Sequence, residues 1–200
     1  MGIRDDRKAA TRGEIQRATL DLLETAGFEA TTVARIAEQA GISERTFFRY
    51  FDSKESAAMP GQGELVQALL THPLHPALTS AQVLRELIEV CRKHFAYEVQ
   101  QYEFLRISRL VLREPGLLQG VARQELQLVS ALSGSLVERN ILGQMPALLV
   151  AELIACTWRV AWQCFAQEEG AGLGCDPAEL FEKAVINLGE IVSPAAGAAD

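Results

Sequence analysis

The chain has 200 residues, 48% of them hydrophobic, with a formal charge of −7 and a pI near 5.1. That composition supports a buried core and excludes a disordered polymer, and the length fits one domain or a small domain attached to a larger one. The acidic balance excludes a general polyanion binder, so any nucleic-acid contact has to come from a local patch.

Four cysteines, Cys91, Cys156, Cys164 and Cys175, form no CxxC pair and have no metal-ligand spacing to histidine, which predicts buried reduced thiols and no metal site. The N-terminal stretch MGIRDDRKAATRGEIQ is charged and lacks an apolar run. No segment reaches the ~20 uninterrupted apolar residues of a membrane helix. The expectation is a cytoplasmic protein with no membrane partner.

Apolar residues recur at helical spacing almost throughout and no period-two pattern appears, so the fold class is all-α. Ile15, Ala18, Leu22, Leu23 and Ala26 form the stripe of a first helix, and Gly27 comes next, where a helix end takes a residue tolerant of positive φ. Thr31 or Thr32 caps a second helix with the inward face Val33, Ile36, Ala37 and Ala40, stopped by Gly41. Ser43 caps a third over 44–50. Two short helices joined by a turn of about three residues containing a glycine have the sequence form of a helix-turn-helix.

Ser53 caps a fourth helix that begins Lys54, Glu55, Ser56 and is interrupted by Pro60, Gly61 and Gly63 before 65–70 resume, which predicts a break or kink. The proline-rich HPLHPALT at 72–79 is a candidate boundary region, and Ser80 caps the next helix. Residues 81–113 read as two helices or one bent one, ended by Pro115 and Gly116, and 117–140 as another. Pro146 suits the first position of a helix reaching about Glu169. GAGLG separates it from the last helix, opened by Asp176, Pro177 and Glu179 in capping-box form.

Across 148–165 only Glu152, Arg159 and Gln163 mark a polar strip, so this helix is expected to be buried on most of its circumference. Leu180, Phe181, Ala184, Val185, Leu188, Ile191 and Val192 give the final helix a continuous apolar face. A homodimer through these last two helices supplies the missing cover; the alternative is a helix central to its own domain.

The stretch GISERTFFRYFDSKE places four aromatic residues among two arginines and a lysine. On a helix over 44–50, Phe47 is the inward residue that locks onto Ile36 and Ala37, while Arg45 and Arg49, four apart, share an outward face. An arginine there can pair bidentately with guanine, worth about 1–3 kcal/mol of base discrimination. Thr46 suits a thymine methyl or a phosphate, and Tyr50 and Lys54 suit backbone phosphates. Residues 1–56 carry nine Lys/Arg and ten Asp/Glu, net −1, so binding requires the charges to segregate. Arg4, Arg7, Lys8 and Arg12 are candidates to reach along the backbone, with Asp21, Glu24, Glu29 and Glu38 directed elsewhere.

The stretch TTVARIAEQAGISERTFFRYFDSKE resembles the DNA-binding domain of TetR-family transcriptional regulators over roughly residues 10 to 58. The resemblance implies a helix-turn-helix domain at 1–56 and a larger helical ligand-binding and dimerisation domain at 57–200. It implies DNA contacts at Thr32, Val33, Arg45, Thr46, Phe48, Arg49, Tyr50 and Lys54. Tyrosine is common in the family where this chain has Phe48, so a hydroxyl contact to phosphate is lost. The implied function is that of a homodimeric repressor, released from a palindromic double-stranded operator when a small molecule binds the C-terminal domain and moves the fourth helix. The interrupted fourth helix departs from the family's continuous one.

Phe95, Tyr102, Phe104, Trp158 and Trp162 are candidate aromatic lining for a ligand site, and His94, Arg106 and Arg109 candidate polar groups to orient the ligand. A branch of the family also written with TFFRYF looks similar, which implies an apolar or acyl-thioester-like effector. No cofactor is expected. His72 and His75 are flanked by prolines and lack a carboxylate cluster, which argues against metal sensing. GQG and GAGLG follow no strand and read as loops. The rival reading is a helical enzyme, but no nucleophile, base and orienting acid stand together as a set, so the chain is expected not to be an enzyme.

Overall fold

The computed structural model describes residues 3–59, 61–99 and 102–192, and among them every regular element is a helix. In chain order these are α1 (Ile3–Ala30), α2 (Val33–Gln39), α3 (Glu44–Phe47), α4 (Lys54–Ala58), α5 (Gly61–Thr71), α6 (Ser80–Glu98), α7 (Tyr102–Arg113), α8 (Pro115–Glu138), α9 (Gln144–Gly170) and α10 (Pro177–Val192). The all-α expectation holds.

The chain folds as two compact units. One gathers Met1–Gly63 with Tyr102–Gln124, and the other gathers Glu64–Gln101 with Glu125–Asp200. The sequence places the boundary after residue 56, whereas packing groups α7 and the first ten residues of α8 with the N-terminal helices. In the first unit α1 packs on α2, α4 and α7, and α2 on α3. Ile15, Ala18 and Leu22 of α1 meet Ile36, Phe47, Phe51 and Ala57 in one buried cluster. The isoleucine, leucine and phenylalanine side chains among them each contribute about 1.5–3 kcal/mol on withdrawal from water, before entropy is counted.

Local signals explain the boundaries. Gly27 adopts φ 78°, ψ 171°, so regular helix in α1 stops there, and the Thr31 hydroxyl donates to the Gly27 carbonyl at 2.8 Å. Thr32, not Thr31, caps α2, accepting from the Arg35 amide. Ser53 caps α4 in a reciprocal box with Ser56. The expected break is present at Met59, which caps α4 at φ −126°, ψ 63°, while Pro60 lies outside the described residues. Residues 81–113 form two helices, and Thr79 caps the first of them in a box with Gln82, one residue before the expected Ser80. Pro115 opens α8 as well as ending α7, since a residue without an N–H fits the first turn.

In the second unit α9 packs against α6 and α10. Phe95 stands edge-on to Trp158 and stacks on Phe181, both at 5.1 Å between ring centres. Arg92 of α6 is held by Glu182 and Glu89, which raise its pKa. Arg139 donates to the carbonyls of Leu70 and His72 at the end of α5. By length and composition α9 could span a membrane, yet Val150, Ile154, Trp158 and Phe165 are buried in the fold, as in a core helix. In the single chain one face of α9, that of Met145, Leu149, Cys156 and Val160, stays exposed. Cys91 is the buried thiol the sequence predicts, its pKa pushed up to about 12 by burial, whereas Cys164 and Cys175 are only half-buried.

Candidate nucleic-acid interface

The recognition segment is built outward from Phe47, which is fully buried. Ser43 caps α3 by accepting from the Thr46 amide at 3.1 Å. The helix is shorter than 44–50. After Phe47 the chain tightens, with the Arg49 amide on the Thr46 carbonyl at 3.2 Å and the Tyr50 amide on the Phe47 carbonyl at 2.8 Å. The tightening brings Phe51 back into the core beside Phe47, their ring centres 6.0 Å apart.

Outside this turn lies a cationic face. Arg45, Thr46, Phe48 and Arg49 line an open surface concavity of about 560 Å³. Phe48 is 53% exposed, its ring edge-on to Phe47 at 5.5 Å. Arg49 lies over the Tyr50 ring at 5.3 Å, and the Thr46 hydroxyl pairs with that of Ser43 at 2.9 Å. Thr32 is exposed at the start of α2, while Val33 is half-buried against the core. Phe48 and Arg49 on one segment and Thr32 on the other thus offer ring, cation and hydroxyl on the surface of one unit.

Lys54 does not join that face. Its ammonium donates to the carbonyls of Phe28 at 2.5 Å and Thr31 at 2.9 Å, and sits 3.7 Å from the centre of the Phe28 ring. The phosphate role expected of Lys54 conflicts with this geometry, because two of its three donors close the turn between α1 and α2. Arg7 and Lys8 are exposed, Arg12 lies over the Phe51 ring at 4.8 Å, and the side chain of Arg4 lies outside the described residues.

The candidate ligand residues are divided between the two units. His94, Phe95, Trp158 and Trp162 belong to the second unit, and Phe104, Arg106 and Arg109 to the first, while the side chain of Tyr102 lies outside the described residues. Phe104 is buried. Arg106, expected to orient a ligand, is bound by Glu24 at 2.7 Å and Asp21 at 2.6 Å. Those two carboxylates, Glu24 foremost, hold its pKa above the usual value. Phe181, read in the sequence only as part of an apolar face, completes the Phe95 and Trp158 cluster. Among the described residues no three His, Cys, Asp or Glu side chains gather as a metal site.

The family model described as "Bacterial regulatory proteins, tetR family" matches residues 15–56, which contain α2, α3 and the concavity. The uncharacterised HTH-type transcriptional regulator YdeS of Bacillus subtilis is 30% identical over 143 residues, 61% of this chain and 72% of that protein. This chain belongs to the TetR family of transcriptional regulators. The HTH-type transcriptional regulator TcmR of Streptomyces glaucescens is also 30% identical, over 145 residues; the match spans 70% of this chain and 64% of TcmR. Among solved structures, a TetR-family regulator from Syntrophomonas wolfei shares the fold at a TM-score of 0.58 and 15% identity, covering 94% of this chain and 98% of that one. The regulator FadR from Bacillus subtilis, solved with stearoyl-CoA, does so at 0.52 and 20%, covering 88% and 96%. As in the family, a DNA-binding helix-turn-helix at the N-terminus precedes a larger helical part.

Proposed function

We propose that this TetR-family protein is a cytoplasmic, homodimeric repressor that binds a palindromic operator through Thr32, Arg45, Thr46, Phe48, Arg49 and Tyr50 and leaves it when a small lipophilic molecule binds the C-terminal helices. The observation that carries the reading is the exposed face of Arg45, Thr46, Phe48 and Arg49, fixed from beneath by fully buried Phe47. Two arginines on so short a segment can pair with adjacent guanines, and the hydroxyls of Thr46, of half-buried Tyr50 and of exposed Thr32 suit phosphates. Helix-turn-helix dimers read half-sites one turn of DNA apart, about 34–36 Å or a multiple. The exposed strip of α9 with Ala184, Val185, Leu188, Ile191 and Val192 of α10 forms the expected dimer surface, Leu180 and Phe181 being already buried within the protomer.

The effector class rests on two supports. Phe95, Trp158 and Phe181 give the second unit an aromatic interior, and FadR of Bacillus subtilis, which shares the fold, was solved with stearoyl-CoA. His94 and Trp162 of the same unit are the remaining candidate contacts. The test is fluorescence anisotropy of the protein against fragments of its own upstream DNA, with salt varied and Arg45→Ala and Arg49→Ala alongside. Tight binding to one palindromic fragment, weakened by either substitution and reversed by stearoyl-CoA, is the expected result. Weak binding indifferent to sequence and to both arginines would overturn the operator reading, and operator binding indifferent to acyl-CoA would overturn the effector class alone.

A further inference from the structure

The α1–α2 turn is gripped from two sides inside the first unit. On one side Lys54 donates to the Phe28 and Thr31 carbonyls and covers the Phe28 ring. On the other the Glu114 carboxylate, between α7 and α8, accepts from the Phe28 amide at 3.2 Å. Gly116, one residue into α8, lies so close to the Phe28 ring that a Cβ there would come within 2.2 Å of it. One turn further on, a Cβ at Gly120 would come within 2.6 Å of the Glu55 side chain on α4. Upstream, Arg106 of α7 ties the same elbow to Asp21 and Glu24 of α1.

We propose that the α7–α8 elbow positions the helix-turn-helix by seating Phe28, with Glu114 and Gly116 as the positioning residues. The physical case is that Phe28 lies three residues before Thr31, where the turn that launches α2 begins, and α3 has only four residues of helix with which to hold its own orientation. A shift of the elbow therefore moves the origin of α2, and α2 carries α3 with it through the Ile36–Phe47 core. Because α8 runs on as one helix to Glu138, a change in its later turns has a covalent path to this seat that does not use the interrupted α4 to α5 segment. A side chain at position 116 has no room unless the ring moves, and a ring that moves gives up the cation above it.

The proposal deepens the operator-binding reading and rests on it for its consequence, but its test does not require DNA. Amide hydrogen exchange is measured on the full-length protein, on Gly116→Ala and on Glu114→Ala, with Glu114→Gln as the conservative control. Exchange over residues 28–40 is expected to quicken about tenfold or more in both alanine variants with α9 unchanged, as for a local opening. Glu114→Gln, which keeps an acceptor oxygen, is expected to restore the wild-type rate. If Gly116→Ala loosens α9 as well, it reports global unfolding and Glu114→Ala decides. Wild-type exchange at 28–40 in a variant whose α9 stays protected, or no rescue by glutamine, overturns the proposal. In parallel, operator affinity is expected to fall in both alanine variants with an unchanged salt slope. A wild-type protein that binds no operator sinks the regulator reading and leaves the exchange result standing.

Discussion

Arg45 and Arg49 differ from Lys54 in the partners their charges already have, and that difference makes opposite predictions. The arginines lie exposed around the concavity, so replacing either by alanine should weaken operator binding by about 1–3 kcal/mol and relax base preference at one position. Anisotropy on single-base operator variants checks this. Lys54→Ala instead removes two charge-assisted bonds to carbonyls, each of a kind worth about 1.5–3 kcal/mol, so it should lower thermal stability. The slope of log affinity against log salt should stay the same for Lys54→Ala, whereas loss of a phosphate contact would reduce it by about one. Glu98 offers a residue-scale prediction in pH. Burial, reinforced by the negative charge of Glu64, pushes its carboxyl up to about 7. The folded state therefore holds this proton more tightly than the unfolded chain does, so stability falls as pH rises from the ordinary carboxylate range through about 7. Glu98→Gln should raise the melting temperature above that window and leave it unchanged at acid pH; equal effects at both ends would discount the buried charge.

At the scale of elements, α3 shows how tertiary contact substitutes for length. Four helical residues are too few to persist alone, since helix nucleation is costly, so Ser43 and Phe47 have to hold the segment. Phe47→Ala should cost about 3–5 kcal/mol and Ser43→Ala about 1 kcal/mol, read from denaturant unfolding of the intact chain. The caps at Ser43 and Ser53 were legible in the sequence because each depends on neighbours within four residues, and the order of the helices and the inward Phe47 because the spacing of apolar residues marks them. The shape of α3 was not, because the tightening after Phe47 is driven by Phe51 returning to a core shared with α1. The seat of Phe28 was not legible either: its partner Glu114 lies 86 positions away. Pro115 and Gly116 read only as a helix stop, since local rules describe a Pro-Gly pair by what it ends and not by the ring placed against it. Arg106 looked like a ligand group for the same reason, its two carboxylate partners lying on α1.

For the whole molecule the difficulty is that a chain of charge −7 must hold a polyanion. The cationic face of Arg45 and Arg49 is short, and long-range repulsion from the rest of the chain opposes it. In the proposed homodimer, two faces held in register on successive turns of DNA would overcome that opposition, because the second contact becomes intramolecular once the first is made. Operator affinity should then depend on residues far from DNA. The strip of Met145, Leu149, Cys156 and Val160 along α9 is where a second copy would be expected to pack, with Leu149 57% exposed in the single chain. Leu149→Glu should leave the protomer folded, because the side chain faces water there, but would bury an unpaired carboxylate in a dimer. Sedimentation is expected to show a monomer, and anisotropy an operator affinity lower by about 10²-fold or more. Binding to nonspecific DNA, which needs only one face, should change far less. A variant that stays dimeric and keeps its operator would move the dimer surface off α9, and a monomer that still binds tightly would mean that one recognition segment suffices.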